Sequence, residues 1–279
     1  LSNISDRAKG PYPTVVNNTQ IIQAYAYGKY LGELSVVFGE KGEVISATGE
    51  PITIDASIEE DGDIVARLDE LELPINELKE TLVGNVSNPL TGNREVCRAQ
   101  ECDMGNMIAD AMRGAVIDKG YTIALANSGG IRASLDAGDV TLGEIMTILP
   151  FQNTLSTFKV TGKQLLAAIE NGVSEHEDGA GRFPQVSGMR FSFDPTRPAG
   201  DRVTSIETQG SYGWSALNLY GTYGMVSNNF IRGGGDGYKM FRSATDIYDF
   251  GPDLADVIAD YIGANPGYKG YTDGRIKQD

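Results

Sequence analysis

The sequence predicts a layered α+β protein in which helices pack on mixed sheets. Helical and strand-like segments are mixed along the chain, without the regular βαβ repeat of a doubly wound sheet. The 279 residues are 41% hydrophobic and 22% charged, which is typical of a soluble globular chain that can bury a sizeable core. We therefore expect one large domain or two smaller ones.

Short strands are predicted for the first part of the chain. Residues 14–24 and 30–54 are rich in Val, Ile, Tyr and Thr, which favour extended structure. The turn residues Glu40-Lys41-Gly42 predict a hairpin of Leu34–Phe38 with Val44–Thr48. These strands could form the edge of a larger sheet.

An acidic helical segment follows. Ile64, Leu68 and Leu71 recur at helical spacing, and Pro74 is expected to interrupt the helix before residues 75–82 resume it. The segment is either an exposed connector between two bodies or a surface helix of a single domain, and both interpretations stay open here.

Beyond Cys97 the pattern alternates between helices and strands. Methionines and aliphatic residues on one side of 103–116 predict an amphipathic helix, and Thr141 is a good N-cap for the next one. The remaining predicted elements are strands at 122–126, 153–160, 186–193 and 202–208, an extended segment at 226–231, and helices at 161–173 and 254–262.

Charge and composition exclude some functions. The net charge of −15 argues against a nucleic-acid partner, because phosphate backbones require a basic surface. No stretch has the apolar length of a membrane span, and the polar residues 1–6 lack a signal-peptide core, so we expect any address label to be absent or already removed.

Histidine and cysteine are scarce. His176, the single histidine, lies in an acidic stretch that we expect to be a solvated loop, so neither a His-rich metal centre nor a Ser-His-Asp triad is expected. The spacing of Cys97 and Cys102 fits neither a redox pair nor a zinc site. On spacing alone, a disulfide and two reduced buried thiols are about equally compatible.

Two motifs combine an aromatic residue with glycine- or proline-rich backbone. They are Asn127-Ser128-Gly129-Gly130-Ile131-Arg132 with Leu149-Pro150-Phe151, and Asn229-Phe230-Ile231-Arg232-Gly233-Gly234-Gly235-Asp236-Gly237-Tyr238. Glycine allows backbone to approach a ligand, and a Phe ring offers a face for a planar group. Arginine suits a phosphate or sugar oxygen and aspartate a diol. Each motif alone is also compatible with a turn and a core Phe.

Six motifs in order give the chain a resemblance to a known family. The six stretches that carry it are, in order, Cys97–Asn106, Asn127–Arg132, Leu149–Phe151, Phe183–Arg190, Pro198–Val203 and Asn229–Tyr238. From about Cys97 onward the chain resembles the C-terminal, substrate-binding domain of the 5'-nucleotidase family, secreted or periplasmic enzymes that hydrolyse nucleotides with two divalent metal ions.

The resemblance implies a role for each matching residue. Phe151 and Phe230 match the pair that sandwiches the base, and Asp236 matches the residue that binds the ribose hydroxyls. The other implied binding residues are Arg98 and Arg132 on the ribose and phosphate side, Asn127 near the base, and Gly129. Cys97 and Cys102 match a disulfide of some members. No catalytic or metal-binding residue is implied in this chain.

Residues 1–54 resemble the last strands of the family's N-terminal metallophosphoesterase domain, through 10–16 and 23–32. We therefore expect a remnant of that domain at 1–55, a connector helix at 56–83 and the substrate-binding domain at 84–279. The Gly-His-x-His metal motif that precedes this stretch in the family is not in the sequence, so the metal ions and the catalytic residues are expected in a missing N-terminal domain. The resemblance implies a periplasmic, secreted or cell-surface location.

Several functions remain open at this point. The first is the nucleoside-binding half of an enzyme that acts on nucleoside monophosphates. A non-catalytic nucleoside-binding module is the second. Relatives that act on cyclic nucleotides, UDP-sugars, dinucleotides or sulfur compounds are the third, although paired phenylalanines disfavour a sulfur substrate because it needs no base slot.

Overall fold

The computed structural model describes residues 11–279 and divides into two compact units, with the boundary between Glu72 and Leu73. Both units combine helix and strand, and the predicted α+β class is confirmed. Residues 1–10 lie outside the described part, and the prediction of a remnant domain at 1–55 includes them. The predicted boundaries at 55/56 and 83/84 stay predictions.

The first unit contains short antiparallel strand pairs. Its strands are β1 (Thr14–Val16), β2 (Thr19–Ile21), β3 (Tyr30–Gly32), β4 (Ser35–Phe38), β5 (Val44–Thr48) and β6 (Pro51–Thr53). They pair as β1 with β2, β3 with β6, and β4 with β5. The β4–β5 ladder, with Ser35 opposite Thr48, is the predicted hairpin, and Gly42 in its turn has a φ of 80°.

Helix α1 (Gly62–Lys79) contributes residues to both units. Asp61, the residue before it, caps the helix: its carboxylate accepts hydrogen bonds from the backbone N–H groups of Asp63 and Ile64. The prediction that Pro74 interrupts the helix is wrong, since α1 runs through it. A proline removes only its own N–H from the hydrogen-bond ladder, and a local kink can absorb the clash of its ring.

The second unit holds the remaining elements. Its helices are α2 (Arg94–Cys97), α3 (Asp103–Gly114), α4 (Leu142–Ile148), α5 (Gly162–Val173), α6 (Asn229–Arg232) and α7 (Leu254–Ala264). Its strands are β7 (Leu82–Val86), β8 (Ile123–Asn127), β9 (Gly138–Thr141), β10 (Leu155–Thr161), β11 (Pro184–Ser187), β12 (Met189–Phe193), β13 (Val203–Gly210), β14 (Gly213–Ala216), β15 (Thr222–Asn228), β16 (Thr245–Tyr248) and β17 (Ile276–Gln278).

A five-stranded mixed sheet, in the order β11-β8-β15-β10-β16, is the centre of this unit. Side chains of β8 alternate between two hydrophobic cores: Ala124 and Ala126 face the core that contains α3 and α7, whereas Ile123 and Leu125 face the core that contains α5. Alternation with a period of two places successive side chains on opposite faces. Both faces of the sheet are therefore covered, which is the predicted layered arrangement.

The predicted strand at 186–193 is two strands in two sheets. β11 belongs to the five-stranded sheet, and β12 belongs to the four-stranded sheet β14-β13-β12-β17. Gly188 lies between them with a φ of 72°, and a Cβ there would lie 2.0 Å from the carbonyl oxygen of Thr122. Only glycine permits this turn, which redirects the chain from one sheet to the other.

Threonine caps begin two of the helices, and the cap at Thr141 was predicted. The side chain of Thr141 accepts from the backbone N–H of Glu144, whose carboxylate accepts from the backbone N–H of Thr141. Thr161 and Gln164 form the same reciprocal pair at α5. Each such capping box satisfies two N–H groups that the helix leaves free. Among residues 11–279, no helix is both long enough and apolar enough to cross a membrane.

Candidate functional site

One cavity in the second unit is lined by all seven of the predicted binding residues. Its volume is about 550 Å³, within the range of small-molecule sites. The lining residues are Arg98, Asn127, Gly129, Gly130, Arg132, Phe151, Asn153, Gly181, Phe230 and Asp236. Gly130, Asn153 and Gly181 were not among the predicted binding residues.

The cavity lies where two neighbouring strands end. β8 and β15 are parallel, with Met225 opposite Ile123 and Val226 opposite Ala124. Asn127 and Asn228 are the last residues of these strands. The carboxyl ends of parallel strands meet at one edge of a sheet, which is a common position for ligand sites in α/β sheets.

Two half-exposed phenylalanines line the cavity. Phe151 follows α4 and is 54% exposed, and Phe230 is 47% exposed. The predicted extended segment at 226–231 is wrong at its end, because Phe230 lies on the short helix α6. Asn228 caps this helix by accepting a hydrogen bond from the backbone N–H of Ile231. A ring that stays exposed inside a cavity is available to a planar ligand.

Glycine supports the Phe230 ring. A Cβ on Gly235 would lie 2.5–2.6 Å from three atoms of that ring, so the ring rests directly on the glycine backbone. Tyr238, at the end of the same run, is fully buried and donates its hydroxyl to the carbonyl of Arg182 at 2.6 Å. Burial raises the pKa of Tyr238 above its ordinary value, which keeps its hydroxyl a neutral donor.

Asp236 is held in a left-handed conformation between glycines, with φ 49° and ψ 28°. The amide of Asn171 donates to its backbone carbonyl at 3.1 Å, and the amide of Asn127 donates to its Oδ2 at 2.8 Å. Its Oδ1 has no hydrogen-bond partner among the described residues. One carboxylate oxygen therefore remains available to accept from a ligand hydroxyl.

Arg98 is a buried cation without an ion pair among the described residues, and the carboxylate of Asp236 acts on it only as a nearby charge. Its side chain is only 8% exposed, it forms no ion pair with any residue of 11–279, and its Nη1 donates to the carbonyl of Gly179 at 3.3 Å. Its Nε has no partner in that range. Burial, followed by the nearby charges of Arg94 and Arg132, lowers the pKa of Arg98 below its ordinary value. Such a guanidinium is suited to an anion.

Arg132 lies at the exposed edge of the cavity. Its guanidinium carbon is 5.6 Å from the centroid of the Phe151 ring, and its Nη1 is 3.5 Å from the carbonyl of Gly129. The arginine backbone N–H donates to the carbonyl of Ile148 at 2.9 Å, which connects this loop to the end of α4. A cation over one face of Phe151 adds an attractive electrostatic contact to that ring.

A disulfide joins Cys97 and Cys102, as the family resemblance implied. The closed loop contains Arg98. The amide of Gln185 on β11 donates to the carbonyls of Cys97 and Gln100 at 2.8 Å each, and its Oε1 accepts from the N–H of Cys102 at 3.2 Å. The loop that presents Arg98 is thus tied both covalently and through hydrogen bonds to the central sheet.

His176 is not in a solvated loop, so that prediction is wrong. The ring is partly buried, with its centroid 5.2 Å from that of Phe193 and 5.9 Å from that of Phe183. Its Nε2 lies 3.0 Å from the carbonyl oxygen of Ala99. The acidic neighbours in sequence suggested exposure, but contacts with distant residues bury the ring against the loop that holds Arg98.

No group of three or more His, Cys, Asp or Glu side chains that could hold a metal ion occurs in the described part of the chain. The described residues therefore offer no site for the metal pair, which the family resemblance assigns to a preceding domain.

Comparison with known proteins gives a consistent result. The family "5'-nucleotidase, C-terminal domain" matches residues 82–243. A trifunctional nucleotide phosphoesterase of Bacillus subtilis is 39% identical over 244 residues, which cover 85% of this chain and 17% of that protein. The human 5'-nucleotidase is 31% identical over 287 residues, which cover 96% of this chain and 50% of that protein.

Comparison with solved structures also finds a 5'-nucleotidase. The 5'-nucleotidase precursor of Thermus thermophilus is 39% identical with a TM-score of 0.73, and the match covers 96% of this chain and 54% of that one. The chain thus spans about half the length of this structure and of the human enzyme.

Proposed function

Because this chain belongs to the 5'-nucleotidase C-terminal domain family, we propose that it is the substrate-binding half of a 5'-nucleotidase. The parent protein would hydrolyse nucleoside 5'-monophosphates to nucleoside and phosphate. The observation that carries this proposal is a cavity in which two half-exposed phenylalanines, Phe151 and Phe230, lie together with the carboxylate of Asp236 and the guanidinium of Arg98, which forms no ion pair within residues 11–279.

Each part of a nucleotide has a matching group in this cavity. The base would stack between Phe151 and Phe230, where each face contributes about 1–3 kcal/mol in comparable contacts. A ribose hydroxyl would donate to the free Oδ1 of Asp236. Arg98 and Arg132 would bind oxygens on the phosphate side, where charge-assisted hydrogen bonds are stronger than neutral ones.

Hydrolysis would take place outside this chain. The resemblance implies two divalent metal ions in a preceding domain, where they would activate water and bind the phosphate. The contribution of the described residues is to bind the nucleoside and to orient the phosphate, which lowers the entropic cost of the reaction.

An extracytoplasmic location forms part of the proposal. The Cys97–Cys102 disulfide supports it, since such bonds persist mainly in oxidising compartments. A related phosphoesterase activity on other nucleotide esters is the second candidate, since the relative from Bacillus subtilis is described as trifunctional.

Calorimetric titration of the 279-residue chain tests the proposal. Adenosine and AMP should both bind, and ribose 5-phosphate should bind at least roughly tenfold more weakly than AMP because it has no base to stack. Incubation with AMP and manganese should release no phosphate. Equal affinities for AMP and ribose 5-phosphate would contradict the base slot. Manganese-dependent release of phosphate that survives repurification would contradict the proposal that hydrolysis takes place outside this chain.

A further inference from the structure

We propose that Asn228 is a positioning residue that acts through Asn127 to aim the carboxylate of Asp236. On this proposal, which rests on the proposed function, the asparagine pair sets the preference of the site for ribose over sugars that lack the 2'- and 3'-hydroxyls. Asn228 is only 2% exposed and does not line the 550 Å³ cavity. It borders a neighbouring pocket of about 10 Å³, which has no room for a nucleoside, so it would influence a ligand in the cavity only indirectly.

The direction of the hydrogen bonds is fixed by the backbone of α6. The N–H of Ile231 can only donate, and it lies 2.8 Å from Oδ1 of Asn228. The Nδ2 of Asn228 must therefore face Asn127, and it donates to Oδ1 of Asn127 at 2.9 Å. This in turn leaves the Nδ2 of Asn127 to donate to Oδ2 of Asp236 at 2.8 Å.

The chain of donors decides which oxygen of Asp236 a ligand meets. With Oδ2 bound to Asn127 and the backbone carbonyl bound to Asn171, only Oδ1 is without a partner among the described residues. The left-handed backbone between Gly234 and Gly237 fixes where the side chain starts. Asp236 is therefore held at its backbone carbonyl and at Oδ2, and a ribose hydroxyl would donate to the remaining oxygen, Oδ1.

The same arrangement changes the role of Asn127. The family resemblance places Asn127 near the base, but one N–H and one lone pair of its amide are used by Asp236 and Asn228. Its side chain is 6% exposed. The geometry makes Asn127 the link between Asn228 and the carboxylate of Asp236, which would bind the sugar. Asn127 is 101 residues from Asn228 and 109 residues from Asp236 in the sequence.

The test variant is Asn228→Ser. Serine keeps the N-cap of α6 because its hydroxyl can accept from the backbone of the first turn, but its side chain is too short to reach Asn127. Asn228→Thr offers a second cap of the same reach should the serine variant not fold. Asn229→Ser is the matched control, since Asn229 is the exposed next residue, the first of α6, and its side chain accepts from the backbone of Thr154 and not from the asparagine pair.

Adenosine and 2',3'-dideoxyadenosine are the two probes, titrated into each variant. The unmodified chain should prefer adenosine on the order of ten- to hundredfold, the effect of a hydrogen bond to a charged group. In Asn228→Ser that ratio should fall by about tenfold, while the affinity for the dideoxy ligand stays within about twofold. The ratio for Asn229→Ser should equal that of the unmodified chain.

The outcomes separate this inference from the proposed function. If the unmodified chain binds neither ligand, the nucleoside site itself is wrong and the inference falls with it. If the unmodified chain prefers adenosine and Asn228→Ser keeps the same ratio, only the positioning role is wrong. Equal weakening of both ligands by Asn228→Ser would also overturn it, because the residue would then support the whole site and not the carboxylate.

Discussion

At the scale of single residues, burial of the Arg98 guanidinium costs stability, and the same guanidinium is placed to bind an anionic ligand. A guanidinium that is 8% exposed and has no ion pair within residues 11–279 is unfavourable unless another group compensates it. Buried charges without an ion pair are uncommon in stable folds, and groups whose pKa is strongly perturbed are frequent at functional sites. The disulfide-closed loop holds this side chain in place.

Replacement of Arg98 should separate phosphate recognition from nucleoside recognition. In Arg98→Met we expect AMP affinity to fall roughly tenfold and adenosine affinity to stay within about threefold, since only AMP supplies the anion. The free energy of unfolding should change by less than about 1 kcal/mol, because the lost hydrogen bond is offset by removal of a buried charge. Calorimetric titration and urea unfolding measure the two effects.

Arg94→Met is the control for charge alone. Arg94 is exposed and does not line the cavity, yet it lies close enough to affect the pKa of Arg98. Its replacement should leave both affinities nearly unchanged. Equal losses of AMP and adenosine in Arg98→Met would place the guanidinium away from the phosphate side.

At the scale of elements, two segments form the wall around Arg98. One is the disulfide loop, residues 97–102, and the other is the rim segment, residues 174–182. His176 brings them together through the carbonyl of Ala99, and Gly179 accepts from Arg98. Apart from Cys97, which ends α2, neither segment is a helix or a strand, so their order depends on these cross-links.

Reduction of the disulfide should lower stability moderately. Closure of so short a loop contributes about 2 kcal/mol in the chain-entropy treatment. For a unit of this size the corresponding fall in the midpoint of thermal unfolding is roughly 4–8 °C. Thermal unfolding with and without a reductant measures it. A Cys97→Ser, Cys102→Ser double variant should show the lower midpoint in both conditions, and a midpoint that the reductant does not change in the unmodified chain would refute the expectation.

Acid should release the rim segment from Arg202. Glu177 accepts hydrogen bonds from the Arg202 guanidinium, one of them at 3.0 Å, and this contact lowers the pKa of Glu177 below its ordinary value. Because the folded pKa lies below the unfolded one, the stabilisation is present above about pH 4.5 and is lost as the pH falls through the folded pKa. The pair should therefore contribute at neutral pH and not in strong acid.

Glu177→Gln makes that effect measurable. The thermal midpoint of this variant should lie below that of the unmodified chain at about pH 7, and the difference should shrink between about pH 5 and pH 3. The control is Glu175→Gln, which removes the neighbouring ion pair with Arg182 and leaves Arg202 untouched. A difference that stays constant over this range would show that protonation of Glu177 does not weaken the contact.

At the scale of the whole molecule, local signals in the sequence predicted the class and most elements of the second unit. The capping threonines Thr141 and Thr161 and the amphipathic stretch of α3 act within a few residues, so their effect is visible in the sequence. Phe230 was first singled out because an aromatic ring beside glycine-rich backbone suits a planar ligand, whereas the role of Asn127 was implied only by the family resemblance. The structure brings all seven of the predicted residues to one cavity, but their binding roles stay predictions.

Other features depend on distant contacts and could not be predicted. The burial of His176 requires phenylalanines and a carbonyl from other segments, and the break at Gly188 requires the proximity of Thr122. The hydrogen bond between Asn228 and Asn127 crosses 101 residues. The one sequence signal that could have identified Asn228 is its position as the polar residue directly before the Asn229-Phe230 motif.

The proposed function depends above all on a slot for a nucleoside base between Phe151 and Phe230, and one titration examines that slot. Adenosine is titrated into the unmodified chain, into Phe230→Ala, and into the control Phe250→Ala, whose ring is 84% exposed and does not line the cavity. We expect affinity to fall roughly ten- to hundredfold in Phe230→Ala, since one stacking face is lost, and to remain unchanged in Phe250→Ala. Unchanged adenosine affinity in a folded Phe230→Ala protein would contradict the base slot.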